Sequence, residues 1–142
     1  MEQDITLNLK ILIYGAGVIG SLYAVLFSKN KNTDVSVYAR GKRLEELCEN
    51  GLRYCDKDTV KVANVRIIDA VKDDDIYDYI FLTVRENQLY KALEELRVNR
   101  SQNIVTMDCY FGRISINCCH AFGNNVAVQG IKNFIILSKS ME

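Results

Sequence analysis

The 142-residue sequence contains no proline and no tryptophan, a single histidine, and no surplus charge of either sign, with 18 Lys+Arg against 18 Asp+Glu. About 7 prolines are average at this length, and nothing in the sequence accounts for their absence. The even charge balance argues against a general nucleic-acid binder, which is normally strongly basic. No apolar run approaches the roughly 20 residues of a membrane-spanning helix. The acidic start Met1-Glu2-Gln3-Asp4 lacks the basic opening and apolar centre of a signal peptide. Five cysteines, at 48, 55, 109, 118 and 119, are an odd number without a Cys-x-x-Cys pair, so neither a disulfide framework nor a zinc site is expected. Together these absences point to a reduced, cytoplasmic, soluble domain.

What is present is ordinary globular material: 49% apolar and 25% charged residues, enough for one core and too short for a barrel of about 250 residues. The run Asn8 to Tyr14 reads as a central strand covered on both faces. Val18, Ile19, Leu22, Val25 and Leu26 then recur at helical spacing and are expected to form the buried stripe of a helix. Val35 to Tyr38 reads as a second strand, and Arg43 to Asn50 as a second helix capped by Gly51. Val60 to Val62 and Val65 to Ile67 are expected to form a small hairpin or a pair of edge strands. Asp73-Asp74-Asp75 reads as a solvated loop, with no partner that would make it a metal site. Tyr79 to Val84 is a third buried strand, Leu89, Ala92, Leu93 and Leu96 a helical stripe, and Ile104 to Met107 a further strand. A helix over Arg113 to Phe122 follows, and the pairing of Val126 to Val128 and Phe134 to Leu137 stays open. Strands alternating with helices imply right-handed crossovers and a doubly wound, mostly parallel Rossmann-type α/β sheet in a single three-layer domain.

The turn Gly15-Ala16-Gly17-Val18-Ile19-Gly20 lies between the first strand and the first helix. That is the context in which G-x-G-x-x-G binds a dinucleotide. Gly15 permits the tight turn, Gly17 clears a path for backbone N–H groups to a pyrophosphate, and Gly20 brings helix and sheet together. An NAD site places Asp or Glu at the end of the second strand; here that strand ends Tyr38-Ala39-Arg40, followed by Gly41-Lys42-Arg43. Asp34 stands before the strand rather than after it. Arg40 offers a fork for a ribose 2′-phosphate, with Lys42 or Arg43 as a second charge, so NADP(H) is expected over NAD(H).

The segments Lys10 to Gly20, Tyr38 to Leu44, Glu49 to Leu52 and Tyr77 to Val84 resemble the ketopantoate reductase (2-dehydropantoate 2-reductase) family over about residues 9–112. The resemblance implies an NADPH-binding Rossmann domain and a separate C-terminal helical domain, together reducing a 2-keto acid by hydride transfer. The family motif Thr-x-Lys-x-x-Gln reads Thr83-Val84-Arg85-Glu86-Asn87-Gln88 here. Thr83, Arg85 and Gln88 therefore join the cofactor-binding candidates. Arg85 keeps the charge but cannot donate a proton, since a guanidinium does not deprotonate near neutral pH. Where family members carry an Asn-Gly-x-Gly-like turn, this chain has Asp108-Cys109-Tyr110-Phe111-Gly112, and Cys109 cannot replace an amide's paired donor and acceptor. Cys109 and His120 are expected to be structural, so no catalytic residue is assigned.

The resemblance further implies that the helical domain carrying the general acid is absent from this chain. The expectation is an NADP(H)-binding domain, inactive or incomplete alone, whose partners are the cofactor, a 2-keto acid, and a second copy or a missing helical domain. Two other functions compete with it. One is a nucleotide-sensing regulatory module, against which the missing acid after the second strand counts. The other is a ligand-free remnant whose Phe134 to Leu137 run pairs with another chain.

Overall fold

The computed structural model describes residues 8–106, 126–131 and 134–139, the last two segments and Glu86 as backbone only. In chain order these residues form β1 (Leu9–Tyr14), α1 (Val18–Ser28), β2 (Thr33–Tyr38), α2 (Gly41–Asn50), β3 (Arg53–Asp56), β4 (Thr59–Val62), β5 (Arg66–Ile68), β6 (Tyr79–Leu82), α3 (Glu86–Leu96), β7 (Asn103–Thr106), β8 (Val126–Ile131) and β9 (Phe134–Lys139). The main sheet has seven strands in the order β5-β2-β1-β6-β7-β9-β8. From β5 through β7 every pairing is parallel; β9 joins β7 antiparallel, and β8 joins β9 antiparallel.

The parallel strands are apolar because both faces are covered. Along β1, Ile11 and Ile13 enter one core with Ala24 and Val25 of α1 and Leu47 of α2. Leu12 and Tyr14 enter the other with Leu89, Leu93 and Leu96 of α3. Alternate side chains of a strand point to opposite faces, so one continuous apolar run serves two cores. The fold is therefore an α/β Rossmann-like sheet wound on both faces.

Helix α1 departs from its sequence reading. Of the expected buried stripe only Val25 is buried; Val18 is 86% exposed, and Ile19, Leu22 and Leu26 are 50%, 51% and 50% exposed. The face that packs on the sheet is instead Gly20, Ala24 and Val25. Small residues let a helix approach the strands closely, and that close approach turns the larger aliphatics outward. Hydrophobic spacing identified the helix but named the wrong face.

The hairpin is real, with a different partner. Val60 and Val62 lie in β4, which pairs with β3 in a separate two-stranded sheet, Cys55 opposite Val60. Lys57, at φ 47°, makes the turn between them. Arg66 to Ile68 leaves that ribbon and adds to the main sheet beside β2, with Ile67 opposite Val37. Strand β6 stops at Leu82, so Thr83 and Val84 lie beyond it in the crossover to α3. Strand β2 starts at Thr33 and takes in Asp34, at the end of the strand away from Arg40. The run Phe134 to Leu137 pairs with β7 and β8 of its own chain, which removes the ground for pairing it with another. The expected helix over 113–122, with Cys109, Cys118, Cys119 and His120, falls outside the described residues.

Candidate functional site

A cleft of about 770 Å³ opens at the C-terminal ends of β1, β2 and β6. It straddles the point where the strand order reverses from β1-β2 to β1-β6, the place where open α/β sheets bind ligands. The glycine turn forms its floor: Gly15, Ala16, Gly17 and Val18 all line it. Arg40 and Arg43 line the β2 side, and Thr83, Arg85 and Gln88 the β6 side. The remaining candidates lie elsewhere. Gly20 is buried behind the turn, Ile19 is half-exposed on α1, and Lys42 is exposed on α2. Sequence reasoning passed over Tyr14, Ser21, Tyr38, Ala39 and Val84 as lining residues. Tyr14 and Tyr38 had a readable signal, since each ends a strand immediately before a candidate loop.

The three glycines do separate jobs. Gly15 has φ +118°, which a side chain rarely tolerates, and a Cβ there would meet Thr83 atoms at 3.1 Å. A Cβ on Gly20 would lie 1.9 Å from the Gly15 carbonyl oxygen and 2.6 Å from Thr83 Oγ1, so that glycine is needed for α1 to pack. Gly17 differs from both. Its φ of −74° suits any residue, and a Cβ would meet nothing within 4 Å. Neither backbone strain nor crowding calls for glycine here, and the fold gains from it only the modest preference over alanine at a helix N-cap.

The turn is also braced from two sides. Thr83 Oγ1 donates to the Gly15 carbonyl at 2.8 Å, so Thr83 holds the turn from the crossover just after β6. Arg43 Nε donates to the Ala16 carbonyl at 2.9 Å, while its Nη2 reaches Ser21 Oγ at 3.1 Å and its Nη1 pairs with Glu46 at 3.1 Å. Arg43 thereby braces the turn through three of its five N–H donors while still lining the cleft. Helix α1 begins at Gly17 with no side-chain cap, which leaves its first-turn N–H groups to other acceptors, the ordinary makings of an anion site.

Among the described residues, three arginines and no acid line the cleft. Arg40 makes one loose ion pair among the described residues, its Nη1 lying 3.8 Å from Glu95 on α3. Glu95 also accepts a hydrogen bond from the Tyr14 hydroxyl. Burial first, and that carboxylate second, hold the Tyr14 phenol well above the usual tyrosine range. Tyr14 and Tyr38 stack with ring centroids 4.4 Å apart beneath this group. No sequence signal pointed to Glu95, which lies 55 residues after Arg40 in the chain (95 minus 40) and meets it only through α3.

The profile described as "Ketopantoate reductase PanE/ApbA" matches residues 11–108. The chain belongs to the ketopantoate reductase family. It is 33% identical over 101 residues to a 2-dehydropantoate 2-reductase of Mesorhizobium japonicum, covering 70% of this chain and 31% of that protein. The chain thus spans about a third of the length of the curated relative it matches. Among solved structures it resembles the putative 2-dehydropantoate 2-reductase of Enterococcus faecalis, with TM-score 0.68 at 19% identity, over 80% of this chain and 37% of that one. It also resembles a D-mandelate dehydrogenase solved with NADH and anilino(oxo)acetate, with TM-score 0.61 at 22% identity, over 76% of this chain and 36% of that one. At such identities these structures bear on the fold alone. The part of the family that this chain matches carries the Rossmann-like α/β fold. Among the described residues no helix is long and apolar enough to cross a membrane.

Proposed function

We propose that this chain is the NADP(H)-binding part of a 2-dehydropantoate 2-reductase-type oxidoreductase that reduces a 2-keto acid. The observation carrying the reading is Gly17, which is neither strained nor crowded and whose open side faces a cleft. A glycine that the fold does not require is accounted for by a ligand whose phosphates come close to the backbone. When bound, NADPH supplies the hydride. Gly15, Ala16, Gly17 and Val18 would hold the pyrophosphate, with the uncapped start of α1 opposite its charge. Arg40, exposed at the end of β2 and only loosely paired, would take the 2′-phosphate as a bidentate fork. Arg43 and Thr83 would act indirectly, keeping the turn in shape. Arg85 and Gln88 would flank the nucleotide from the β6 side.

Turnover needs a gripped ketone and an acid to protonate the alkoxide. No described residue lining the cleft is such an acid: the arginines do not deprotonate, and the Tyr14 phenol holds its proton too tightly. The reading is therefore of a cofactor-binding part that needs further structure for catalysis. A regulatory nucleotide-sensing module is the second reading, disfavoured by the guanidinium where such modules carry an acid. Calorimetric titration with NADPH and NADH tests the proposal. Tighter binding of NADPH is expected, with Arg40→Ala costing NADPH about tenfold or more and NADH little. Failure of the folded chain to bind either nucleotide at millimolar concentration would end it.

A further inference from the structure

The acid missing from the end of β2 arrives from another part of the fold. Glu95 stands in the last turn of α3, where one carboxylate oxygen accepts the Tyr14 hydroxyl and the other lies 3.8 Å from Arg40 Nη1. Tyr14 is 2% exposed and stacked on Tyr38 at 4.4 Å, so the carboxylate is anchored to a fixed aromatic pair. Arg40 lines the cleft and Glu95 does not, while their side chains are 49% and 39% exposed. The guanidinium is accordingly shared between the cleft and a carboxylate behind it.

We propose that Glu95 is a specificity-determining residue that tempers selection for a 2′-phosphorylated nucleotide by competing for Arg40. The inference rests on the nucleotide-binding reading above. A 2′-phosphate held by Arg40 must either share the guanidinium with Glu95 or displace it, and in both arrangements it lies close to a like charge. A ribose 2′-hydroxyl carries no charge and meets no such opposition. Neither Arg40 nor Glu95 alone sets the outcome; the pair does, and it exists because α3 packs against the sheet beneath Tyr14.

The test uses the intact chain and two ligands that differ by one phosphate, adenosine 2′,5′-bisphosphate and 5′-AMP, titrated calorimetrically into wild type and Glu95→Gln. Glutamine keeps the length of the side chain and an oxygen for Tyr14 while removing the charge. Glu95→Gln is expected to tighten the bisphosphate about fivefold, the size of one like-charge contact at a solvent-facing site, and to change AMP less than about twofold. The gain should shrink in high salt. Glu95→Ala, a second variant checked for native circular dichroism, should shift the bisphosphate-to-AMP ratio in the same direction. An unchanged or reversed ratio, with both ligands still bound, overturns the role of Glu95. Binding of AMP alone by wild type overturns Arg40 as the phosphate ligand and this proposal with it. Binding of neither ligand by wild type counts instead against nucleotide binding itself.

Discussion

Arg43 Nε donates a hydrogen bond to the carbonyl oxygen of Ala16 at 2.9 Å, tying the first turn of α2 to the middle of the glycine turn. The same guanidinium reaches Ser21 Oγ in α1 at 3.1 Å, so one side chain fixes the turn against two helices. Read from the sequence, Arg43 is a charge in reserve for a phosphate; in the fold it shapes the place where a phosphate would bind. Replacement by methionine keeps the aliphatic stem and removes the brace. It should weaken NADPH and NADH alike, by about tenfold, since a charge-assisted hydrogen bond to the turn is lost. Preferential loss of NADPH in the same titration would return Arg43 to the role of phosphate ligand.

The glycines give a contrast between folding and binding. Gly20→Ala forces a Cβ to 1.9 Å from the Gly15 carbonyl oxygen, and α1 must lift from the sheet. A loss of about 3 kcal/mol in urea unfolding is expected. Gly17→Ala meets nothing within 4 Å and should cost about 1 kcal/mol or less, the price of alanine at a helix N-cap. Its binding of NADPH should nevertheless fall by about tenfold or more. Gly17→Ala with unimpaired binding would remove the main support for a pyrophosphate at this turn.

The outward face of α1 makes a stability prediction opposite to the sequence pattern. Leu22→Gln and Leu26→Gln, at positions 51% and 50% exposed, should each change the unfolding free energy by about 0.5 kcal/mol or less. Leu47→Ala in α2, at a position 1% exposed, should cost about 3 kcal/mol. Equal costs at all three positions would mean that α1 packs through its large aliphatic face after all.

Tyr14 contributes to the alkaline limit of stability. In the unfolded chain its phenol ionises near pH 10, whereas burial and Glu95 keep it protonated in the fold. The folded pKa is thus the higher one. The unfolded state sheds its proton first, and the stabilisation present below about pH 10 is lost as pH rises beyond it. Urea unfolding from about pH 8 to 11 should show stability falling at the top of the range, less steeply in Tyr14→Phe. Tyr77, whose phenol burial also raises, should account for part of the slope that remains.

The order of strands and helices was legible because local chemistry wrote it. The nearly continuous apolar run from Leu9 to Tyr14, broken only by Lys10, and the β-branched run after Asp34 marked the central strands. The helical spacing of Leu89, Leu93 and Leu96 matched the buried face of α3, which packs against Leu12 and Tyr14 of β1. The spacing of the glycines named the turn, because backbone freedom and close packing are properties of the residue itself. The same spacing rule misassigned α1, where Gly20 and Ala24 carried the contact and a stripe of larger residues drew the eye.

Sequence alone determined the family and the winding of the sheet, both consequences of short-range pattern and turn chemistry. Tertiary structure decided the register that sends β3 to β4 and β5 to β2, the commitment of Arg43 to a carbonyl, and the meeting of Arg40 with Glu95. Those contacts join residues remote in the chain, and their geometry depends on how closely α1 and α3 settle on the strands. Close approach is set by the packing of whole faces, which no local run of residues encodes.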